Sequence, residues 1–244
     1  QLPTLRRPAG PQLPVIPLAI DPEQPFAPDL PRQQRRLLAR QQLGLPPEAF
    51  VVVFLGRLSF HSKAHPLPLY RALARLAAEH QSVVLLECGH AFNHHIAAAY
   101  DALQAAFPQL RCLRLGGLQP ATDQQKWQAL AAADVFTSPA DNLQETFGLS
   151  LLEAMAAELP LVVSDWDGYR DLVQQGVTGC LVPTADVLPS LPQPDPIEIN
   201  YRLGFLDYDT IIGLRALGVV VDEDALLHAF RTLLHNPQQR QVMA

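Results

Sequence analysis

The feature that most constrains this chain is a rhythm. Short apolar runs recur, each separated from the next by a longer amphipathic stretch. The runs at 50–55, 82–86, 110–115, 134–137, 160–164 and 179–182 read as strands. Helical spacing fills 68–80, 92–107, 122–133, 147–158 and the shorter 168–175, and 31–44 ahead of the first strand. In 68–80, Leu69, Ala72, Leu73 and Leu76 fall on one stripe. Pro31 suits a first helical turn, Gly44 suits a stop, and Thr122 is the expected cap of its helix. Strands alternating with helices of this size predict βαβ units and a mainly parallel, doubly wound α/β sheet in a single domain. The strand runs are continuously apolar, as expected for a sheet covered on both faces. Ligands of such sheets bind beyond the carboxyl ends of the strands. The loops after Leu55, Leu86, Leu115, Thr137, Ser164 and Val182 are therefore the ones to inspect.

With 244 residues, 48% hydrophobic and 17% charged, the chain can bury a real core, which excludes a disordered tail or a small disulfide scaffold. A formal charge of −6 argues against nucleic acid as the main partner, although residues 1–40 alone carry six arginines and three acids. No apolar run approaches the ~18 residues of a membrane span, so no transmembrane segment is expected; peripheral membrane contact stays open. Cys88, Cys112 and Cys180 stand at unrelated spacings and read as small residues of a reducing compartment, which points to the cytoplasm. Prolines cluster: nine of the 23 lie between Pro3 and Pro31, and five between Pro183 and Pro196. The first cluster reads as a hinge or lead-in over 1–18, ahead of a domain over 19–183. The second opens an insertion over 184–221, in which 184–203 reads as a mobile loop, 208–217 as a helix and 219–221 as a strand remnant. An amphipathic helix over 225–236, within a closing segment 222–244, returns to the same domain. The chain opens without Met inside a Pro-rich phrase and is expected to be part of something longer.

Two constellations could carry chemistry. Gly56, Arg57 and Lys63 follow the first strand and precede a helix. A planar guanidinium and a point-charge ammonium beside a helix N-terminus suit a bound diphosphate. The simpler reading is a pair of solvated surface cations. The second constellation is Glu145-Thr-Phe-Gly-Leu-Ser-Leu-Leu-Glu153, after the fourth strand. Its Phe147-Gly148-Leu149 step offers backbone amides at a helix start, and its two carboxylates are good acceptors for sugar and ribose hydroxyls. The competing reading is a capping box over Ser150-Leu-Leu-Glu153, which leaves Glu145 unexplained.

Taken in order, Gly56-Arg57…Lys63, Ala133-Asp134-Val-Phe, Glu145-x-Phe-Gly…Glu153-Ala-Met-Ala and Asp171-Leu-Val-x-x-Gly176…Gly179-Cys-Leu-Val-Pro resemble the donor-binding half of a family 4 retaining glycosyltransferase. The resemblance covers roughly 15–183, and 222–244 more weakly. It implies the Rossmann-like C-terminal half of a GT-B fold and a hexosyltransferase-type enzyme. The implied donor is a nucleotide-diphosphate sugar, with no cofactor and no metal. Arg57 and Lys63 would hold the diphosphate beside Gly56, and Glu153 the ribose. Glu145 and the amides of Phe147, Gly148 and Leu149 would hold the donor sugar, and Leu118 would lie against the base. Arg57, Lys63 and Glu145 would then be the catalytic groups. The acceptor would bind a missing N-terminal half, so this chain alone should be inactive. Three departures from the family pattern stand out: Ala64 after Lys63, Glu87-Cys88-Gly89-His90 in place of a Gly-x-Gly-Pro turn, and Pro139-Ala140 in place of Pro-Ser. Glu87 would put a carboxylate near the strand ends where the diphosphate should lie.

Other signals carry less. Asp165-Trp-Asp167, Asp207-Tyr-Asp209 and Asp222-Glu-Asp224 all match D-x-D, and three matches in one chain show how cheap that pattern is. His90, His94 and His95 near Cys88 read as a solvated helix start rather than a zinc site. Trp127 and Trp166 read as packing residues, while Tyr169 and Arg170 could face the acceptor half. Two other functions fit less of the pattern: a non-catalytic nucleotide-sugar-binding or interaction module of the same fold, and a sugar-nucleotide epimerase.

Overall fold

A computed structural model describes residues 18–21, 26–80, 82–143, 145, 147–187 and 195–244. Its centre is a six-stranded parallel sheet. The strands are β1 (Phe50–Leu58), β2 (Val83–Ala91), β3 (Arg111–Gly117), β4 (Val135–Ser138), β5 (Leu161–Ser164) and β6 (Gly179–Val182). Their spatial order is β3-β2-β1-β4-β5-β6. The chain thus builds one half outward from β1, returns, and builds the other half outward from β4. The β1–β4 seam is the topological switch point, where such sheets open a crevice at their carboxyl ends.

The helices are α1 (Arg32–Gln42), α2 (Leu67–Glu79), α3 (His94–Ala106), α4 (Asp123–Ala132), α5 (Leu149–Ala156) and the single turn α6 (Tyr169–Leu172). Side chains alternate across β1 and sort the layers. Phe50, Val52 and Phe54 pack towards α2, α3 and the later α9 (Glu223–His235). Val51, Val53 and Leu55 pack towards α1, α4 and α5. Burial on both faces is why the run is apolar throughout. Thr122 caps α4 as expected, in a full capping box with Gln125.

Two strands run longer than the apolar pattern suggested. β1 continues through Gly56 and Arg57 to Leu58, and β2 through Glu87 and His90 to Ala91. The loops to inspect after Leu55 and Leu86 therefore begin three and five residues later. The ladder carries on because glycines meet across it: Gly56 pairs Gly89, and Gly89 pairs Gly116. A Cβ on Gly89 would stand 1.9 Å from the Gly56 carbonyl oxygen, and one on Gly116 2.0 Å from that of Gly89. Backbone hydrogen bonding, rather than side-chain burial, holds these strand ends.

Beyond β6 the expected loop over 184–203 is partly wrong. Residues 184–186 form β7 (Thr184–Asp186), which pairs antiparallel with β8 (Val219–Val221). Residues 196–202 form α7 (Pro196–Arg202), capped by Asp195. Asp195 is buried against Arg215 of α8 (Tyr208–Ala216), an ion pair that joins the two helices. Residues 188–194, which held the rest of that expected loop, lie outside the described residues, as does nearly all of the expected hinge over 1–18. The closing segment holds α9 and a further short helix, α10 (Pro237–Met243). α9 lies along α2 through Arg71–Glu223, Arg75–Asp224 and Arg231–Glu79 ion pairs.

At the amino ends of β1 and β4, Asp134 gathers three donors. Arg36 reaches one carboxylate oxygen at 2.8 Å, while Arg40 and the Val51 backbone N–H each reach the other at 2.8 Å. Arg40 is 1% exposed, and it also donates to the carbonyls of Ala132, Pro47 and Ala49. Removing one partner of a buried pair strands the other charge, at a cost of about 3–5 kcal/mol. Asp134→Ala should lower unfolding free energy by that amount in urea titration. A loss below about 1 kcal/mol, the scale of an exposed pair, would mean that the network is not a structural anchor.

Candidate functional site

At the carboxyl side of the switch point, the chain leaves β1 at Leu58 and loops back before α2. This return brings Lys63 beneath Gly56, where a Cβ on Gly56 would lie 3.0 Å from the lysine Cε. The Lys63 side chain is 9% exposed. Its ammonium donates to Glu145 Oε2 and, at 3.1 Å, to the hydroxyl of Tyr169. The Tyr169 oxygen shares a further hydrogen bond of 2.7 Å with Ser138 Oγ at the end of β4. Burial pushes the Lys63 pKa below its ordinary value, and the Glu145 carboxylate opposes that shift. Burial, with Glu145 alongside, holds the Tyr169 phenol well above its ordinary range, so it stays protonated.

Gly148 is required by this arrangement. It precedes α5 with φ +85°, and a Cβ there would stand 2.7 Å from Tyr169 Cε1. Both the backbone conformation and the tyrosine ring exclude a side chain. The Gly168 N–H donates to the Glu145 carbonyl at 3.3 Å, which ties the loop after β5 to the loop after β4.

The other expected site residues are spread around this centre. Arg57 is exposed at the end of β1, with one guanidinium nitrogen donating to the Ser62 carbonyl at 2.9 Å. Its charge acts on Lys63, whose ammonium it disfavours. The two cations are therefore unlike: one lies at the surface, the other is enclosed. Glu153 points to the α4 side, where Lys126 donates to it at 2.8 Å. The capping-box alternative is overturned, because Gly148 is the residue before α5 and Ser150 already lies inside the first turn. Phe147 and Leu149 flank Gly148 at the α5 start, Leu149 exposed and Phe147 half-buried. Leu118 is partly exposed just beyond Gly116 and Gly117, at the end of β3.

Two sequence expectations are corrected. Glu87 does not reach the strand ends. It is 2% exposed within β2, where Tyr70 donates to it at 3.0 Å and Arg114 at 2.9 Å. Those donors pull its carboxylate inside the sheet, although burial still pushes its pKa up. Tyr169 does not face outward with Arg170. It is fully buried on Lys63, while Arg170 turns back to Asp165 at 2.6 Å. Ser138 and Lys126 escaped the sequence reading as site residues, and Tyr169 was read only as a residue facing the acceptor half. Their only signal was position, each close to the carboxyl end of a strand or on the helix that follows. Trp166 donates to the Asn142 carbonyl at 3.1 Å, a packing role. Among the described residues no group of three His, Cys, Asp or Glu side chains could hold a metal, and no helix is long and apolar enough to cross a membrane.

Asp141, in the same loop as Glu145, is 5% exposed and accepts from the His65 N–H at 2.9 Å. Burial lifts its pKa to about 6 from an ordinary 3.8. A raised acid binds its proton more tightly in the fold. Its stabilising contribution is complete below the unfolded pKa and is lost as pH rises through the folded one. Asp141→Asn keeps the acceptor and removes the titration. The stability of the parent relative to this variant should fall by up to about 3 kcal/mol between pH 4 and pH 7 in urea titrations. A constant difference across that range would show that Asp141 is ionised in the fold throughout.

Residues 49–191 match the family described as Glycosyl transferases group 1. Phosphatidyl-myo-inositol mannosyltransferase of Mycobacterium tuberculosis is 33% identical over 140 residues, which are 57% of this chain and 34% of that protein. The chain thus spans about a third of the length of the curated relative it matches. Among solved structures, the lipopolysaccharide glycosyltransferase WaaG superposes with a TM-score of 0.62 at 19% identity, covering 93% of this chain and 48% of that one. Anabaena HepE, solved in complex with UDP-glucose, superposes with a TM-score of 0.50 at 22% identity, covering 86% of this chain and 49% of that one. At those identities the structures speak for the fold, a Rossmann-like domain of the GT-B type. The family match covers more than half of the sequence, and the chain belongs to the group 1 glycosyl transferases.

Proposed function

We propose that this chain is the donor-binding domain of a retaining hexosyltransferase, which moves a sugar from a nucleotide-diphosphate donor to an acceptor held by a further domain. The observation that carries this reading is the enclosed Lys63–Glu145 pair at the β1–β4 switch point, beside the start of α5. A lysine kept from water acts on a bound phosphate far more strongly than a solvated one. Arg57, at the mouth, offers the second cation. Glu145 and the amides of Phe147, Gly148 and Leu149 face the donor sugar; Glu153 takes the ribose and Leu118 the base. HepE was solved with UDP-glucose, which supports a nucleotide sugar as ligand, and the mycobacterial relative is named for mannosyl transfer.

The chemistry follows from charge. Breaking the bond between the anomeric carbon and the phosphate oxygen leaves an oxocarbenium-like sugar and a diphosphate that gains negative charge. Lys63 and Arg57 stabilise that leaving group from fixed positions, and removal of one such donor costs about 10²–10³ in rate. The incoming acceptor hydroxyl bonds to the anomeric carbon on the face that the diphosphate leaves and gives its proton to the departing phosphate oxygen, which yields retention.

Thermal shift of the 244-residue chain against UDP-, GDP- and ADP-sugars tests the binding part. A true donor at 100 times its Kd adds about 2.7 kcal/mol of stability. No response to any donor would support a module that binds another partner through the same fold. Without an acceptor domain the chain should transfer nothing; transfer by the chain alone would refute the two-domain reading.

Two substitutions test the roles. Lys63→Met or Arg57→Ala should lower turnover of the complete enzyme by about 10²–10³, and near-normal turnover would remove that residue from the mechanism. Tyr169→Phe keeps the Lys63 charge but deletes the hydroxyl that holds it. A hydrogen bond to a charged group contributes about 1.5–3 kcal/mol, so donor affinity should fall about tenfold or more. Unchanged affinity would make Tyr169 a packing residue.

A further inference from the structure

Lys63 stands in the middle of residues 59–66, a loop that joins β1 to α2 with no strand or helix of its own. Its side chain is nevertheless only 9% exposed. An ammonium taken out of water is drawn back to it, and a released lysine stem regains rotamer freedom. The pairing with Glu145 holds the tip of the side chain. The backbone that carries the stem has to be held as well.

Two adjacent residues of the β4–α5 loop hold that backbone, one on each side of the lysine. Asn142 Nδ2 donates to the His61 carbonyl at 2.6 Å, and Asp141 Oδ2 accepts from the His65 N–H at 2.9 Å. The bonds fall two residues before and two residues after Lys63. Asn142 is 1% exposed and Asp141 5%, a setting in which a hydrogen bond is electrostatically stronger than in water. The Asn142 backbone carbonyl accepts in turn from Trp166 Nε1 at 3.1 Å. Loops from three neighbouring strands, β1, β4 and β5, therefore meet at Asn142. The residue type matters. The group that meets the His61 carbonyl must donate, and the isosteric aspartate would set a second acceptor against it. Asn142 also lies three residues before Glu145, so one short segment holds both the backbone of the cation and its counter-ion.

We propose that Asn142 is a positioning residue for Lys63: it clasps the lysine's loop to the segment that carries Glu145 and keeps the ammonium in place without touching a ligand. The inference rests on the donor-binding reading for what the lysine meets, and on the hydrogen bonds alone for how the lysine is held. Stabilising a charge that develops in a reaction depends on such fixed positions.

Lys63 and Lys126 are the only lysines of the sequence, so amine labelling reads the site directly. The full chain is pulsed with an acetylating reagent, and the ratio of Lys63 to Lys126 modification is measured by mass spectrometry. UDP, GDP and ADP are titrated in parallel. Asn142→Ala deletes the clasp. It should raise the labelling ratio, and weaken binding of the nucleotide, by about two- to tenfold, the scale of one hydrogen bond. A general loosening of the fold would raise labelling of both lysines and leave the ratio where it was. Should Asn142→Ala fail to fold, Trp166→Phe decides: it keeps an aromatic ring, deletes the N–H that steadies Asn142, and should move both readings the same way. An unchanged ratio in a folded variant would overturn the proposal, as would a raised ratio with unchanged affinity for a nucleotide that binds the parent. A raised ratio when the parent binds no nucleotide would support the clasp and strike the donor reading alone.

Discussion

The carboxylate of Asp134 is the interaction on which the rest of the sheet depends. It stands where the strand order reverses, just before β4, and accepts from the backbone of β1 and from two arginines of α1. β1 and β4 are adjacent in space but 83 residues apart at this contact, and their ladder is only three residue pairs long. The Asp134–Val51 bond adds a side-chain tie at the base of that short ladder. Arg40 extends it to α4 through the Ala132 carbonyl. With the base fixed, the two strands aim their following loops at one crevice. Burying an arginine is costly, and its pKa is lowered accordingly, but each guanidinium nitrogen finds an acceptor in the backbone or in Asp134.

The upper end of the same seam is built on absence of side chains. Gly56 leaves room for the lysine to fold beneath the strand, and Gly148 leaves room for the tyrosine that holds it. Either position bearing even a methyl group would move the ammonium or the ring. The site is thus preorganised by packing, with the Lys63 side chain nearly buried and held by Glu145 and Tyr169.

Much of this was legible in the sequence, and the failures have one cause. Continuous apolar runs located all six parallel strands because burial on both faces leaves that trace. The pattern lost β1 after Leu55 and β2 after Leu86, where backbone pairing between glycines replaces side-chain burial. It misjudged Glu87 because the arginine that neutralises it, Arg114, is 27 residues away on the next strand. It misjudged Tyr169 for the same reason: a phenol in a polar turn reads as exposed until Lys63 and Ser138 are brought to it by other elements. It read 184–203 as loop because β7 is short and its partner β8 follows more than 30 residues later. Contacts between distant segments are what a one-dimensional pattern does not record.

Both glutamates of the proposed donor site are held by lysines. Each arrives with its own cation, Glu145 with Lys63 and Glu153 with Lys126. In the proposed reading, a donor must compete for both. Its diphosphate approaches an ammonium already neutralised by Glu145, so phosphate engagement loosens that carboxylate. A loosened carboxylate regains acceptor capacity at the place where the donor sugar would lie, and sugar hydroxyls can take it up. Nucleotide without sugar would free Glu145 from its ammonium and leave it largely buried with only the Tyr169 hydroxyl beside it, which is unfavourable. The ion pair would then favour the whole donor over its nucleotide product, and would help to expel the diphosphate once the sugar has gone.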